Sequence, residues 1–130
     1  MSGLTDALVL ELGQTESGLP FLATHPTLGP RLDMLPLYDL EHTNLLGYRA
    51  LLIGLHADQR YLATRRAQLE AFLAAGRVVV FCGHVAEPFL PELQPFQPIE
   101  GYTLDDLDVV REAEHPVWDG VAVEDLSRRR

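Results

Sequence analysis

The sequence predicts an α/β protein built on a mainly parallel sheet. Three observations predict it. Residues 50–56 (Ala-Leu-Leu-Ile-Gly-Leu-His) and 77–82 (Arg-Val-Val-Val-Phe-Cys) are short apolar runs, the pattern of strands buried on both faces. Between them, Leu62, Leu69, Phe72 and Leu73 follow one another at spacings of 7, 3 and 4, which is one face of a helix over residues 61–75. A strand, a helix and a strand at these distances make a parallel βαβ unit, and its crossover is expected to be right-handed. The two strands are expected to be adjacent and central, within a sheet of at least four parallel strands.

The remaining elements follow in chain order. Residues 7–12 (Ala-Leu-Val-Leu-Glu-Leu) read as a first, central strand. The loop 13–18 has glycine at both ends but lacks the P-loop lysine and the dinucleotide glycine spacing, and Glu16 would repel phosphate. It is expected to be a plain connection. Pro20, Pro26 and Pro30 restrict residues 19–34 to short or irregular helix. Residues 35–40 (Leu-Pro-Leu-Tyr-Asp-Leu) read as a second strand, which Pro36 confines to an edge.

Asp58 is placed to cap the helix, and Gly76 fits the left-handed position just past its end. Residues 87–101 hold four prolines among Phe89, Leu90, Leu93 and Phe96, so they read as an ordered loop whose aromatic residues pack on the domain. Residues 107–111 suggest a fifth, edge strand. Residues 115–121 are rich in turn formers around Trp118, a packing anchor. Glu124 opens a short helix.

Composition narrows the function classes. The chain has 130 residues, the length of one domain, with 47% hydrophobic and 22% charged residues. The expectation is a single domain over 1–130. A chain that stops on Arg128-Arg129-Arg130 just after an apparent element is compatible with a fragment of something longer. A formal charge of −9 and a pI near 4.8 argue against nucleic acid as a partner. No apolar run reaches 18 residues, so no membrane partner is expected. One cysteine allows no internal disulfide and fits a cytoplasmic location. A homodimer is compatible with these properties.

Three segments together resemble a known family: residues 51–56 with the internal Gly54, the helix leading into Gly83-His84, and His115-Pro116-Val117-Trp118-Asp119-Gly120-Val121. Their order is similar to that of the class I glutamine amidotransferase-like superfamily, most closely its trehalose-utilisation (ThuA-like) and uncharacterised branches. The resemblance covers roughly residues 48–125. It implies a flavodoxin-like, doubly wound, three-layer α/β/α fold. In active amidotransferases it also implies a nucleophilic cysteine on a Gly-x-Cys-x-Gly elbow, served by a later His-x-Glu. Cys82 stands where that nucleophile belongs. Val80 and His84 replace the two glycines, and no His-x-Glu occurs in the chain. The resemblance therefore implies a relative without working glutaminase chemistry.

The candidate site is the sheet edge where residues 50–56 and 77–82 end. In open α/β sheets, ligands bind at the carboxyl ends of the strands. His56, Asp58, Cys82, Gly83 and His84 gather there by topology. Cys82 could act as a nucleophile if a neighbouring positive charge lowered its pKa; the plainer reading is a buried core cysteine. A metal set of His56, Asp58, Cys82, His84 and Glu87 lacks any close-spaced signature; the plainer reading is histidines that cap strand ends by hydrogen bonds. Binding of a small molecule or anion by His56, Asp58, Gly83 and His84, beside the N–H groups of the helix that Asp58 opens, asks least of the residues. No cofactor is expected. The functional expectation is a small-molecule or protein-interaction domain. The alternative is a cysteine- or metal-dependent hydrolase of a small carbohydrate-like or amide substrate.

Overall fold

The computed structural model of the chain describes residues 5–11, 19–98, 100, 101, 103–107 and 113–126. They fall into two compact units, Met1–Phe96 and Gln97–Arg130.

The first unit holds a four-stranded, all-parallel sheet: β1 (Thr5–Glu11), β2 (Leu32–Pro36), β3 (Tyr48–Ile53) and β4 (Val78–Phe81), in the spatial order β2-β1-β3-β4. This is an α/β fold, as expected. β1 is central, and the proline-bearing β2 lies at an edge. β3 and β4 are adjacent and parallel, with Leu51 level with Val79 and Ile53 with Phe81.

The expected central position of β4 is not observed. Among the described residues β3 flanks it on one side only, and Val78 and Val80 are 55% and 38% exposed. An all-apolar run reads the same whether it is enclosed or half-enclosed, because it carries no alternation to report an open face.

Alternation along the strands sorts the core. Leu8, Leu51 and Val79 form one row across the sheet; Leu10, Leu35, Ile53 and Phe81 form the next. This face packs with Leu62, Leu69 and Phe72 in one apolar cluster. Burying each such side chain contributes about 1.5–3 kcal/mol.

The helix between β3 and β4 is two: α1 (Gln59–Thr64) and α2 (Arg66–Ala74). The cause is local. The Thr64 hydroxyl donates to the Tyr61 carbonyl at 2.6 Å, the acceptor that the Arg65 amide would use in a continuous helix. The Arg65 amide turns to Leu62 O instead, at 2.9 Å. Asp58 caps α1 as expected, its Oδ1 accepting from Tyr61 N at 3.1 Å. Gly76, at φ +81°, ends α2. Its amide donates to Leu73 O and that of Arg77 to Phe72 O, the paired bonds of a Schellman close.

Two expected strands shift their bounds. The second strand is Leu32–Pro36 rather than 35–40, and Leu37–His42 forms a 3-10 helix. Leu37 and Leu40, three residues apart, share its buried side, which suits a turn of three residues. The third strand stops at Ile53, and residues 54–57 turn, Ala57 N donating to Gly54 O at 3.2 Å. Residues 19–31 hold the 3-10 helices Leu19–Thr24 and Gly29–Arg31, the short irregular pieces the prolines predict, and residues 32–34 begin β2.

The second unit contains the 3-10 helices Leu104–Leu107 and Pro116–Trp118 and a short helix, α3 (Val123–Leu126). His115 caps its segment, Nδ1 accepting from Val117 N at 3.0 Å. The helix expected at Glu124 is α3. Leu107 closes a 3-10 helix; the rest of the expected fifth strand lies outside the described residues, as do the whole 13–18 loop and the three final arginines.

Candidate functional site

The site is built where β3 and β4 end. Cys82 N donates to Ile53 O at 2.9 Å and carries the pairing one residue past β4. Gly83 then passes against Leu55. A Cβ at position 83 would lie 2.9 Å from Leu55 Cδ1 and 3.0 Å from its Cα. The glycine fits because both the side-chain tip and the backbone of Leu55 lie close to it here. This close approach accounts for the glycine without a ligand.

Gln59, the first residue of α1, fastens the next stretch of chain. Its Nε2 donates to His84 O at 2.8 Å, and its Oε1 accepts from Ala86 N at 2.8 Å and Glu87 N at 2.9 Å. The proline-rich segment is then tied down further along. Arg66 Nη2 donates to Pro88 O at 2.9 Å. Phe89 and Leu90 are buried, and Phe89 meets Phe81 edge to face with ring centres 5.3 Å apart. Phe96 N donates to Val85 O at 2.9 Å, and its ring stacks on His84 at 4.0 Å and 9°. The expected packing of the loop's aromatic residues holds for Phe89. Phe96 stays half exposed.

Asp58 is the hub of a second cluster. Its Oδ2 accepts the Tyr38 hydroxyl at 2.7 Å, while Tyr61 O–H donates to Tyr38 O at 3.1 Å. The two tyrosine rings meet edge to face, centres 4.9 Å apart. The Tyr38 bond, followed by the Tyr61 amide, lowers the Asp58 pKa below its ordinary 3.8. The same bond raises the Tyr38 hydroxyl above its ordinary 10.0. Asp58 stays ionised at neutral pH and Tyr38 keeps its proton.

The sequence-predicted residues thus share one edge, but the chemistry differs from the expectation. Cys82 is exposed, which overturns its reading as a core cysteine. His56 and His84 are also exposed, and among the described residues neither ring makes a strand-capping hydrogen bond. Nor do three His, Cys, Asp or Glu side chains converge among those residues into a set able to hold a metal ion. The expected anion seat at the helix start is filled by the chain itself. α1 is six residues long, and the Asp58 carboxylate already takes its amide, so a bound anion would meet a fixed negative charge.

Sequence reasoning missed one feature of this edge. A groove of about 460 Å³ opens beside β4, lined by Leu73, Val79, Phe81, Val85, Leu90 and Leu93, with Gly83 and Glu92 completing it. Leu73 comes from α2, Val79 and Phe81 from β4, and the rest from the segment that Gln59 and Arg66 hold. The apolar residues of 85–93 were the signal, but their meeting with Leu73 depends on two side-chain-to-backbone staples that no spacing reveals.

Fold and site together define a class: a parallel α/β unit with an apolar groove beside its strand β4. No family model matches this chain, and no curated protein or solved structure matches it.

Proposed function

We propose that this chain is a small-molecule-binding domain without glutaminase chemistry, built on the flavodoxin-like plan of the amidotransferase-like superfamily. The strand order supports that plan, since β2-β1-β3-β4 is the beginning of the 2-1-3-4-5 order of flavodoxin-like sheets. The groove carries the functional reading. Small-molecule pockets occupy about 300–1,000 Å³ and are mostly apolar with a few polar groups, and this groove has that size and lining. Glu92 is its one charged lining residue, and the chain carries −9. Both favour an apolar ligand that is neutral or cationic. The corner Cys82–His84, with His56 and Asp58 nearby along the edge, offers polar contacts to whatever projects from the groove.

The exposed thiol keeps one alternative in play, a cysteine-dependent hydrolase. Acyl transfer needs a base placed on the nucleophile and a group that orients the base. Among the described residues no histidine hydrogen-bonds to the Cys82 sulfur. The purified protein is expected to release no ammonia from glutamine; release that Cys82→Ser abolishes would overturn the proposal.

Backbone-amide NMR during a fragment screen tests the binding site. Hits should shift Leu73, Val79, Phe81, Val85 and Leu93 together, and Leu93→Trp, which fills the groove, should abolish them. Shifts confined to residues 54–58 would place the site at the Asp58 corner instead. A screen with no groove hit would overturn the proposal.

A further inference from the structure

The segment 84–96 carries two carboxylates, and they keep different company. Glu87 is paired with Arg60, whose Nε lies 3.8 Å from its Oε1. Glu92 makes no hydrogen bond or ion pair among the described residues. It is nevertheless the one charged member of a groove lining whose other side chains are apolar. The cation that touches this segment is occupied elsewhere. Arg66 gives its Nε to Phe89 O and its Nη2 to Pro88 O, and it does not line the groove.

Local structure holds Glu92 in that position. Leu93 N donates to Leu90 O at 3.1 Å, which closes the turn Leu90-Pro91-Glu92-Leu93. Pro91 presets φ at the second place of the turn, where proline is favoured. Leu90 is buried and Leu93 packs on the core, and both line the groove. The two ends of the turn are therefore fixed in the groove wall, and Glu92 is carried between them with its side chain exposed. Nothing in the turn calls for a carboxylate at that place.

We infer that the groove selects a cationic amphiphile: a small amine with a hydrocarbon body, its ammonium group set against Glu92. The inference rests on the groove being a ligand site and adds the class of ligand that the site prefers. Leu73, Val79, Phe81, Val85, Leu90 and Leu93 take the body out of water. The Glu92 carboxylate then meets the ammonium as a counter-charge. An acid with the same body is disfavoured, since it would bring a second negative charge to the same rim. Selection by repulsion counts here as much as attraction. The chain's net charge of −9 acts in the same sense at longer range, drawing cations and turning anions away. Glu92 is thus the specificity-determining residue. Because it is exposed, its pair with an ammonium has the strength of a surface ion pair, modest and weakened by salt.

Octylamine, octanol and octanoate test this, for they share one body and differ in the head group. The amine is cationic at neutral pH, as a lysine side chain is. Each is titrated into the full chain and followed by the backbone amides of Leu73, Val79, Phe81, Val85 and Leu93. At low salt the amine should bind roughly threefold more tightly than the alcohol, with octanoate the weakest, and the lead of the amine should shrink as salt is added. Glu92→Gln should bring the amine to the affinity of the alcohol and leave the alcohol unchanged. Glu87→Gln removes the same charge from the same segment and should preserve the lead of the amine. Equal binding of amine and alcohol in the groove would overturn this inference and leave the groove as a ligand site. A lead that survives Glu92→Gln would also overturn it, by assigning the preference to net charge alone. If none of the three probes moves the groove amides, the groove reading and this inference fall together.

Discussion

At the scale of single residues, one hydrogen bond joins two parts of the chain. The Tyr38 hydroxyl on Asp58 links the 3-10 helix after β2 to the cap of α1. Its effect on stability has a definite pH window. Asp58 has a folded pKa below its ordinary value, so its contribution is present above about pH 4 and is lost as pH falls through the lowered value. Tyr38 has a folded pKa above its ordinary value, so its contribution is present below about pH 10 and is lost as pH rises through the raised value. Tyr38→Phe should therefore lower the melting temperature at neutral pH, and the gap from the wild type should narrow below pH 4 and above pH 10. A gap that does not vary with pH would assign the loss to ring packing. At Gly83 the obstacles are the Leu55 side-chain tip at 2.9 Å, which can swing aside, and the Leu55 Cα at 3.0 Å and carbonyl oxygen at 3.3 Å, which cannot without moving the backbone. Gly83→Ala should cost about 1–3 kcal/mol in a denaturant titration, the range for overpacking; a neutral result would mean that the 54–57 turn yields.

Elements acquire their meaning from what fastens them. Gln59 opens α1 and holds three backbone groups of residues 84–87. Gln59→Ala should speed hydrogen exchange at Ala86 and Glu87 while the β3 and β4 amides stay protected. Uniform acceleration would instead mean global loss of stability. Phe72 on α2 is 1% exposed, and Phe72→Ala should cost about 3–5 kcal/mol; a loss below about 1 kcal/mol would show that the face is misassigned. The α1–α2 face was legible in the sequence, because Leu62, Leu69 and Phe72 repeat at helical spacing, and so were the Asp58 cap and Gly76, each set by its own local geometry. The break at Arg65 was not, since it turns on which oxygen a threonine hydroxyl takes. Pro36 marked an edge strand correctly, yet Leu35, Leu37 and Leu40 fit a strand-then-3-10 path as well as a strand, and packing chose the former. That β4 has one strand neighbour among the described residues, and that a groove lies beside it, were hidden for a different reason. Both depend on what lies next to an apolar run, and four apolar residues in a row are silent about that.

For the whole molecule, the question is how much of the chain the core needs. Every buried hydrophobic side chain among the described residues lies between Ala7 and Leu90, inside the unit Met1–Phe96. That unit contains all four strands, both helices of the crossover and the whole lining of the groove. Single domains of about 100 residues commonly fold alone, burying somewhat over 60% of their unfolded surface. The described part of residues 97–126 contributes short 3-10 helices and the four-residue α3, and no residue to the core. A chain ending at Phe96 is therefore expected to fold as a cooperative unit. Urea unfolding would measure it. The shortened chain should give one sharp transition whose slope, which scales with the surface exposed on unfolding, approaches that of the full chain's main transition. The fragment hits that mark the groove should survive the truncation. A broad transition with a reduced slope would mean that residues 97–130 complete the folding unit, and that the 130 residues act as the single domain their length suggests.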